Sequence, residues 1–285
     1  MAQRFVVVTG ASTGIGYATV ETLTKDGFHV FAGVRAEDDA VRLRTAFGSA
    51  CTPVIFDISD GEAVSRAAAI VADRLGKGTL SGLVNNAGIA VTGPLMLLPL
   101  DDVRRQIEVN VIAQIAVCQA FTPLLGTDPA RQGQPGRIVM MSSVSGQIAA
   151  PFVGPYAASK FALEAISDSL RRELIIFGID VIVIGPGAIA TPIWGKASTR
   201  QGLTTDTPYE AYARAFEQHA VQIGKNGLPP ERVAHEVLRA LTARHPPARI
   251  AVVPNRWSNW LARAVLPKRF LDRQIAKRFS VSLKT

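Results

Sequence analysis

Residues 4–27 read RFVVVTGASTGIGYATVETLTKDG. The run from Arg4 to Val8 is short, apolar and rich in β-branched residues, the composition of a strand buried on both faces in a parallel sheet. It passes directly into the glycine-rich turn Thr9 to Gly16, and the turn into a helical pattern. Glycines at 10, 14 and 16 allow a tight turn, close approach of the main chain to a pyrophosphate, and close helix packing. The helix N-terminus then offers free N–H groups and a positive dipole end to phosphate. Glycine also serves ordinary turns. Strand, turn and helix in this order favour dinucleotide binding over a plain turn.

Working outward, apolar strands recur at 30–34, 53–56, 80–84, 137–141, 180–184 and 249–253, with helical stretches between them. With the first strand they make seven, and the alternation implies an α/β fold, a doubly wound parallel sheet with helices on both faces. A chain of 285 residues, 48% of them hydrophobic, can bury one large core. No repeat, low-complexity tract or linker divides it, so residues 1–285 read as a single dinucleotide-binding catalytic domain.

The chemistry is carried by the segment PYAASKFALEA, where Tyr156 and Lys160 stand four apart, with Ser143 thirteen residues upstream. On a helix, side chains at i and i+4 share a face, so phenol and ammonium can enter one site. A phenol with a pKa of about 10 is a poor acid or base at neutral pH unless a nearby cation favours phenolate. Lys160 can supply the cation, and Ser143 a hydroxyl that holds a substrate oxygen. Alone, the Tyr/Lys pair would be ordinary on any surface helix, so the other motifs decide.

Taken together, these motifs resemble the short-chain dehydrogenase/reductase family. Its T-G-x-x-x-G-x-G pattern matches Thr9, Gly10, Gly14 and Gly16, and its N-N-A-G matches Asn85, Asn86, Ala87 and Gly88. Its helix asparagine falls on Asn110, its serine on Ser143, its Y-x-x-x-K on Tyr156 and Lys160, and its P-G-x-x-x-T on Pro186, Gly187 and Thr191. The match runs from about residue 4 to residue 253. The resemblance implies the strand order 3-2-1-4-5-6-7 and a homodimer or homotetramer. It implies cofactor contacts from Gly10, Ser12, Thr13, Gly14, Ile15, Gly16, Arg35, Asp57, Ile58, Asn86, Ala87, Gly88, Tyr156, Lys160, Pro186, Gly187, Ile189 and Thr191. Tyr156 would exchange a proton with the substrate oxygen, Lys160 would lower the tyrosine pKa and hydrogen-bond the nicotinamide ribose, Ser143 would orient the substrate, and Asn110 would hold a water linking Lys160 to solvent. Ser142 and Ser145 are rival serines, more naturally turn residues. The alternative from another class is an NAD(P)-binding sensor or scaffold with little turnover. Such proteins typically lose the Tyr, the Lys or the glycines, and all are present here.

Cofactor choice turns on the end of the second strand, HVFAGVR. NAD sites of this architecture place an acid there for the ribose 2′-hydroxyl. Here Val34 occupies that position and Arg35 follows, a cation where a 2′-phosphate would want one. NADP is therefore expected over NAD, although Arg35 alone reads equally as a solvated surface arginine. Thr13 stands where NADP-dependent relatives often carry Arg or Lys. Asp57 borders the adenine in the family, and reads alternatively as the cap of a helix starting near Asp60.

Around the triad the wording resembles the hydroxysteroid and retinol dehydrogenase branch, implying an alcohol/carbonyl pair on an apolar steroid-, retinoid- or lipid-like substrate. A substrate lid is expected over 191–227, with a helix near 209–223. Ser143 and Tyr156 would touch substrate, and Phe152, Val153, Ile193 and Trp194 would wall the pocket; ordinary core packing is the alternative for these apolar residues. Residues 255–285 carry eight Lys/Arg against Asp272 alone, a net +7 of the chain's +8. From Pro267, Leu271, Ile275 and Phe279 form an apolar stripe opposite a basic one of Arg269, Arg273 and Lys277. A basic amphipathic helix can make peripheral contact with an anionic membrane; docking on its own domain or on a partner subunit is the favoured alternative. Basic charge confined to a tail, with no recognition motif, argues against nucleic acid.

Cys51 and Cys118 form no disulfide framework, and the four histidines have no ligand spacing, so no metal is expected. The N-terminus lacks a signal-peptide layout, and no stretch reaches the roughly 18 apolar residues of a membrane span. A cytoplasmic protein is the expectation.

Overall fold

The computed structural model describes residues 3–193, 202–254 and 267–278. Seven strands, β1 (Arg4–Val8), β2 (Phe28–Val34), β3 (Cys51–Ile55), β4 (Gly82–Asn85), β5 (Arg137–Met141), β6 (Asp180–Pro186) and β7 (Arg249–Val252), lie in the order β3-β2-β1-β4-β5-β6-β7. Every pairing is parallel. The order reverses between β1 and β4, and a crevice opens there beyond the carboxyl ends of the strands, where α/β sheets bind ligands.

Alternation along the strands divides the core in two. On β1, Val7 belongs to one apolar cluster and Val6 and Val8 to the other, as a period of two demands. One cluster receives Val20 and Leu23 of α1 (Gly14–Lys25), Leu43 of α2 (Glu37–Phe47) and Val237 of α8 (Pro230–Thr242). The other receives Val71 of α3 (Gly61–Leu75), Phe121 of α5 (Ala113–Thr122) and Leu163 of α6 (Gly154–Leu174). Both sheet faces are covered, which explains why β2 is buried along its whole length.

Three sequence expectations are revised. Asp60, not Asp57, caps α3: its carboxylate accepts from the main-chain N–H of Glu62 and Ala63, while Asp57 accepts from Ser59 at 2.9 Å. A span-length apolar run does exist. α4 (Leu100–Ile107) continues through a π-helical stretch, Glu108–Ile112, into α5, and an 18-residue window of the helical run Leu100–Thr127 reaches a mean hydropathy of 1.5. Its apolar residues serve the core, where Val117, Cys118 and Phe121 are buried. The lid helix α7 spans Glu210–Asn226, starting one residue and ending three residues later than expected; Trp194 lies outside the described residues.

The basic tail forms α9 (Lys268–Arg278). Its Ile275 packs against a cluster of Phe152, Val153, Tyr156, Ala213 and Phe216. Leu271 is half-buried, Arg269, Arg273 and Lys277 are exposed, and Phe279 lies outside the described residues.

Candidate active site

The crevice has a volume of about 440 Å³. Its floor is the turn quoted at the outset. Gly10 and Gly14 adopt φ of 63° and 57°, a left-handed conformation that favours glycine. A Cβ on Gly16 would lie 2.1 Å from the Gly10 carbonyl oxygen, so the helix can approach the strand this closely only with glycine there. Thr13 precedes α1 in an extended conformation without capping the helix through its side chain, and the first-turn N–H groups remain available to an anion.

The N-N-A-G segment braces this turn. The Asn86 amide donates to the carbonyls of Thr9 at 2.9 Å and Gly10 at 3.1 Å. Thr9 Oγ1 accepts in return from the N–H of Asn86 and of Ala87, both at 3.0 Å. Asn85 faces the core instead, where its amide donates to Cys118 Sγ at 3.1 Å. Burial pushes the Cys118 thiol up to about 12, as suits an inert core residue.

Every residue expected to hold the cofactor lines the crevice: Gly10, Ser12, Thr13, Gly14, Ile15, Gly16, Arg35, Asp57, Ile58, Asn86, Ala87, Gly88, Tyr156, Lys160, Pro186, Gly187, Ile189 and Thr191. At the β2 end, Arg35 Nη1 stands 3.9 Å from Asp57 Oδ2, and both side chains are well exposed. A cradle of glycines, a free helix N-terminus and a cation at the far end fit a nicotinamide dinucleotide.

Ser143, Tyr156 and Lys160 line the same crevice. Each keeps only 6% of its surface, so their mutual electrostatics act in a low dielectric. Ser143 follows β5 as the cap of a short turn, its Oγ accepting from Ser145 N–H at 3.0 Å. Tyr156 and Lys160 stand one turn apart on α6, and Lys160 Nζ lies 5.7 Å from the centre of the Tyr156 ring. That ammonium donates to the Met141 carbonyl at 2.7 Å. Burial pushes the Tyr156 phenol up, and its hydrogen bond with Ser143 pulls it down. Burial lowers Lys160 to about 8, against the opposing charge of Glu164. Desolvation is the larger effect, so the phenol ends above its ordinary value, and the opposing influence is the Ser143 hydrogen bond rather than the expected Lys160 charge. Ser142 is excluded as the substrate-orienting serine because its hydroxyl donates to Glu164 at 2.6 Å.

Two expected residues make packing or hydrogen-bond contacts outside the crevice. Asn110 is buried in the π-helical stretch; its Oδ1 accepts from Ile89 N–H at 2.9 Å, and its Nδ2 donates to Ile89 O and Ser159 Oγ at 3.0 and 3.1 Å. Its side-chain amide therefore fixes the crevice wall. Phe152 does not line the crevice. With φ of 63°, it sits behind Tyr156, its ring 4.6 Å from that of Tyr212 and edge-on to it. Core packing, the alternative for this residue, is what the structure shows, whereas Ile193 does reach the wall. Arg105 and Val109 of the α4 run also line the crevice; in sequence they carry no signal beyond that of an ordinary amphipathic helix. Among the described residues no cluster of His, Cys, Asp or Glu could hold a metal ion.

The family model described as short chain dehydrogenase matches residues 4–202. The chain belongs to the short-chain dehydrogenase family. Across 95% of both chains it is 39% identical to an NADPH-dependent 3-dehydrocapnine reductase of Ornithobacterium rhinotracheale. It is 35% identical to retinol dehydrogenase 5 of Mus musculus, covering 94% of this chain and 86% of that one. A short-chain dehydrogenase from Streptomyces avermitilis superimposes with a TM-score of 0.76 at 25% identity, covering 97% of this chain and 95% of that one. Family membership makes this short-chain dehydrogenase an NAD(P)-dependent oxidoreductase, in agreement with a crevice that joins a dinucleotide cradle to a buried Tyr/Lys pair.

Proposed function

We propose that this short-chain dehydrogenase uses NADP(H) to interconvert a hydroxyl and a carbonyl on an apolar, lipid-like molecule. One observation carries the proposal: the crevice has Ser143, Tyr156 and Lys160 buried at one end and Arg35 exposed at the other, with no acid at position 34. A guanidinium at the strand end can hold a 2′-phosphate that Val34 could not recognise. The relative named as NADPH-dependent supports the same choice. Val91, Val109 and Ile193 give the wall an apolar lining, consistent with relatives named for retinol and for 3-dehydrocapnine.

When bound, the dinucleotide gives or takes the hydride. In reduction, Ser143 Oγ hydrogen-bonds the substrate oxygen, and Tyr156 Oη donates its proton to that oxygen as charge develops there. Lys160 stabilises the phenolate left behind, and it would hold the nicotinamide ribose of the bound dinucleotide. In the oxidative direction Tyr156 accepts the hydroxyl proton. The packing of α9 against the cluster behind Tyr156 supports a tail docked on its own fold over a membrane anchor. Exposed Ile112 and Phe161, on helical segments that pack together, support assembly into homo-oligomers through that face. A cytoplasmic location is proposed with them.

The test is a steady-state screen of NADPH oxidation against steroid, retinoid and long-chain acyl carbonyls, with small polar ketones as controls. Turnover confined to the small polar ketones would reject the apolar substrate class.

A further inference from the structure

Three consecutive residues at the end of β5 and just beyond it, Met141, Ser142 and Ser143, are each gripped through a main-chain or side-chain group by a different charged residue. Lys160 Nζ donates to the Met141 carbonyl at 2.7 Å. Ser142 Oγ donates to Glu164 Oε1 at 2.6 Å. Arg249 Nη2 donates to the Ser143 carbonyl at 3.4 Å. Arg249 and Glu164 also meet each other, with Nε 3.1 and 2.9 Å from the two carboxylate oxygens and both side chains about one-fifth exposed. Space is reserved for this network: a Cβ on Gly146 would lie 2.7 Å from Ser142 Oγ, and one on Gly185 would lie 2.4 Å from Arg249 Nη2.

Glu164 follows Lys160 by one helical turn, so Tyr156, Lys160 and Glu164 lie along one face of α6. We propose that Glu164 and Arg249 are positioning residues: the pair sets the protonation of Lys160 and the placement of Ser143, so that the pH dependence of the reaction is governed from β7. The inference rests on Lys160 acting as the cation beside Tyr156. A shielded ion pair that satisfied only stability could be replaced by apolar residues at little cost. This one is instead joined by hydrogen bonds to Ser142 and Ser143.

Lys160 is faced by Tyr156 and Glu164 from its own helix and by Ser142 and Ser143 from the turn after β5. Arg249 from β7 stands behind Glu164, and Arg105 of α4 lines the same crevice; Glu108, on the adjoining π-helical stretch, is exposed. The Glu164 charge raises Lys160 against the larger effect of burial. Removing that charge should therefore make Lys160 lose its proton at lower pH. Removing Arg249 leaves the carboxylate unneutralised and should do the opposite.

The experiment records pH profiles of kcat/KM for carbonyl reduction in wild type, Glu164→Gln, Arg249→Gln and Arg249→Lys. The alkaline limb should move down by about half a pH unit or more in Glu164→Gln and up by a similar amount in Arg249→Gln. Arg249→Lys, which keeps the charge, should restore most of the wild-type profile. Limbs that stay in place, or move the same way in both neutral variants, would overturn the proposal even if melting temperatures fall. Should either single variant fail to fold, the Glu164→Gln/Arg249→Gln double variant decides: its limb moves down if Glu164 acts on Lys160, and an unmoved limb overturns the idea. Lys160→Ala separates the two levels. Retained turnover in that variant defeats the site itself, whereas a dead Lys160→Ala with unmoved limbs defeats only the role of the pair.

Discussion

Arg35→Ala isolates cofactor choice from everything else in the molecule. The side chain is 74% exposed and stands 3.9 Å from a carboxylate that is itself half exposed. A surface pair of this kind contributes at most about 1 kcal/mol, so the melting temperature should fall by less than about 3 °C. A charge-assisted hydrogen bond to a 2′-phosphate contributes roughly 1.5–3 kcal/mol. At about 1.4 kcal/mol per tenfold, its loss should raise the KM for NADPH by about ten- to a hundredfold. The effect should sit in KM because the ribose phosphate is remote from the reacting carbon and is bound equally in ground and transition states. NADH carries no such phosphate and should change by less than about threefold. Asp57→Asn supplies the converse, since that carboxylate competes for Arg35 and repels phosphate; the KM for NADPH should fall, most visibly at low salt. Initial rates with both cofactors across salt concentrations measure all of this. An unchanged NADPH/NADH ratio in Arg35→Ala would refute the assignment and shift discrimination to Val34 and Thr13.

Tyr156→Phe removes only the transferable proton, so turnover should drop at least a hundredfold with NADPH affinity nearly intact; more than about a tenth of wild-type rate would show another acid. Lys160 has a folded pKa of about 8 against 10.5 when unperturbed, so the unfolded chain binds its proton more tightly and burial of the cation disfavours folding below pH 8. Stability from this group therefore rises as pH climbs from about 8 toward 10.5, and Lys160→Met should melt higher than wild type at pH 7, with the advantage shrinking by pH 10; an advantage independent of pH would contradict the buried cation. Deleting residues 267–285 should lower the melting temperature and expose the apolar cluster to a hydrophobic dye, with NADPH binding preserved. If deletion instead leaves stability unchanged and abolishes co-sedimentation with anionic vesicles, the tail serves a membrane.

The cofactor cradle was legible because its signals are local. Left-handed turns and close approaches restrict the residue type at single positions, and glycines at 10, 14 and 16 report that restriction directly. The Tyr156/Lys160 pair was legible for a similar reason, since helical spacing alone places the two on one face. Asn110 was legible as a position but not as a contact: its amide bonds to Ile89 and Ser159, more than twenty and nearly fifty residues away. Phe152 was misplaced because an aromatic beside the triad suits a pocket wall and an aromatic core equally, and hydrophobicity has no direction.

By itself the sequence determined a parallel sheet of seven strands with helices on both faces, the glycine turn and the spacing of the Tyr/Lys pair, because strand period, helix period and glycine conformation act within a few residues; the strand order and the other crevice residues followed from the family resemblance. Only the tertiary structure decided that Glu164 of α6 pairs with Arg249 of β7, that Ser142 rather than Ser143 is spent on that carboxylate, and that the tail's Ile275 lies on the aromatic cluster behind Tyr156. Those contacts join residues separated by as many as about 120 positions, and each depends on how helices α6, α7 and α9 seat on the sheet. Seating is a global property of packing, set by burial and shape across the whole core, and no local pattern encodes it.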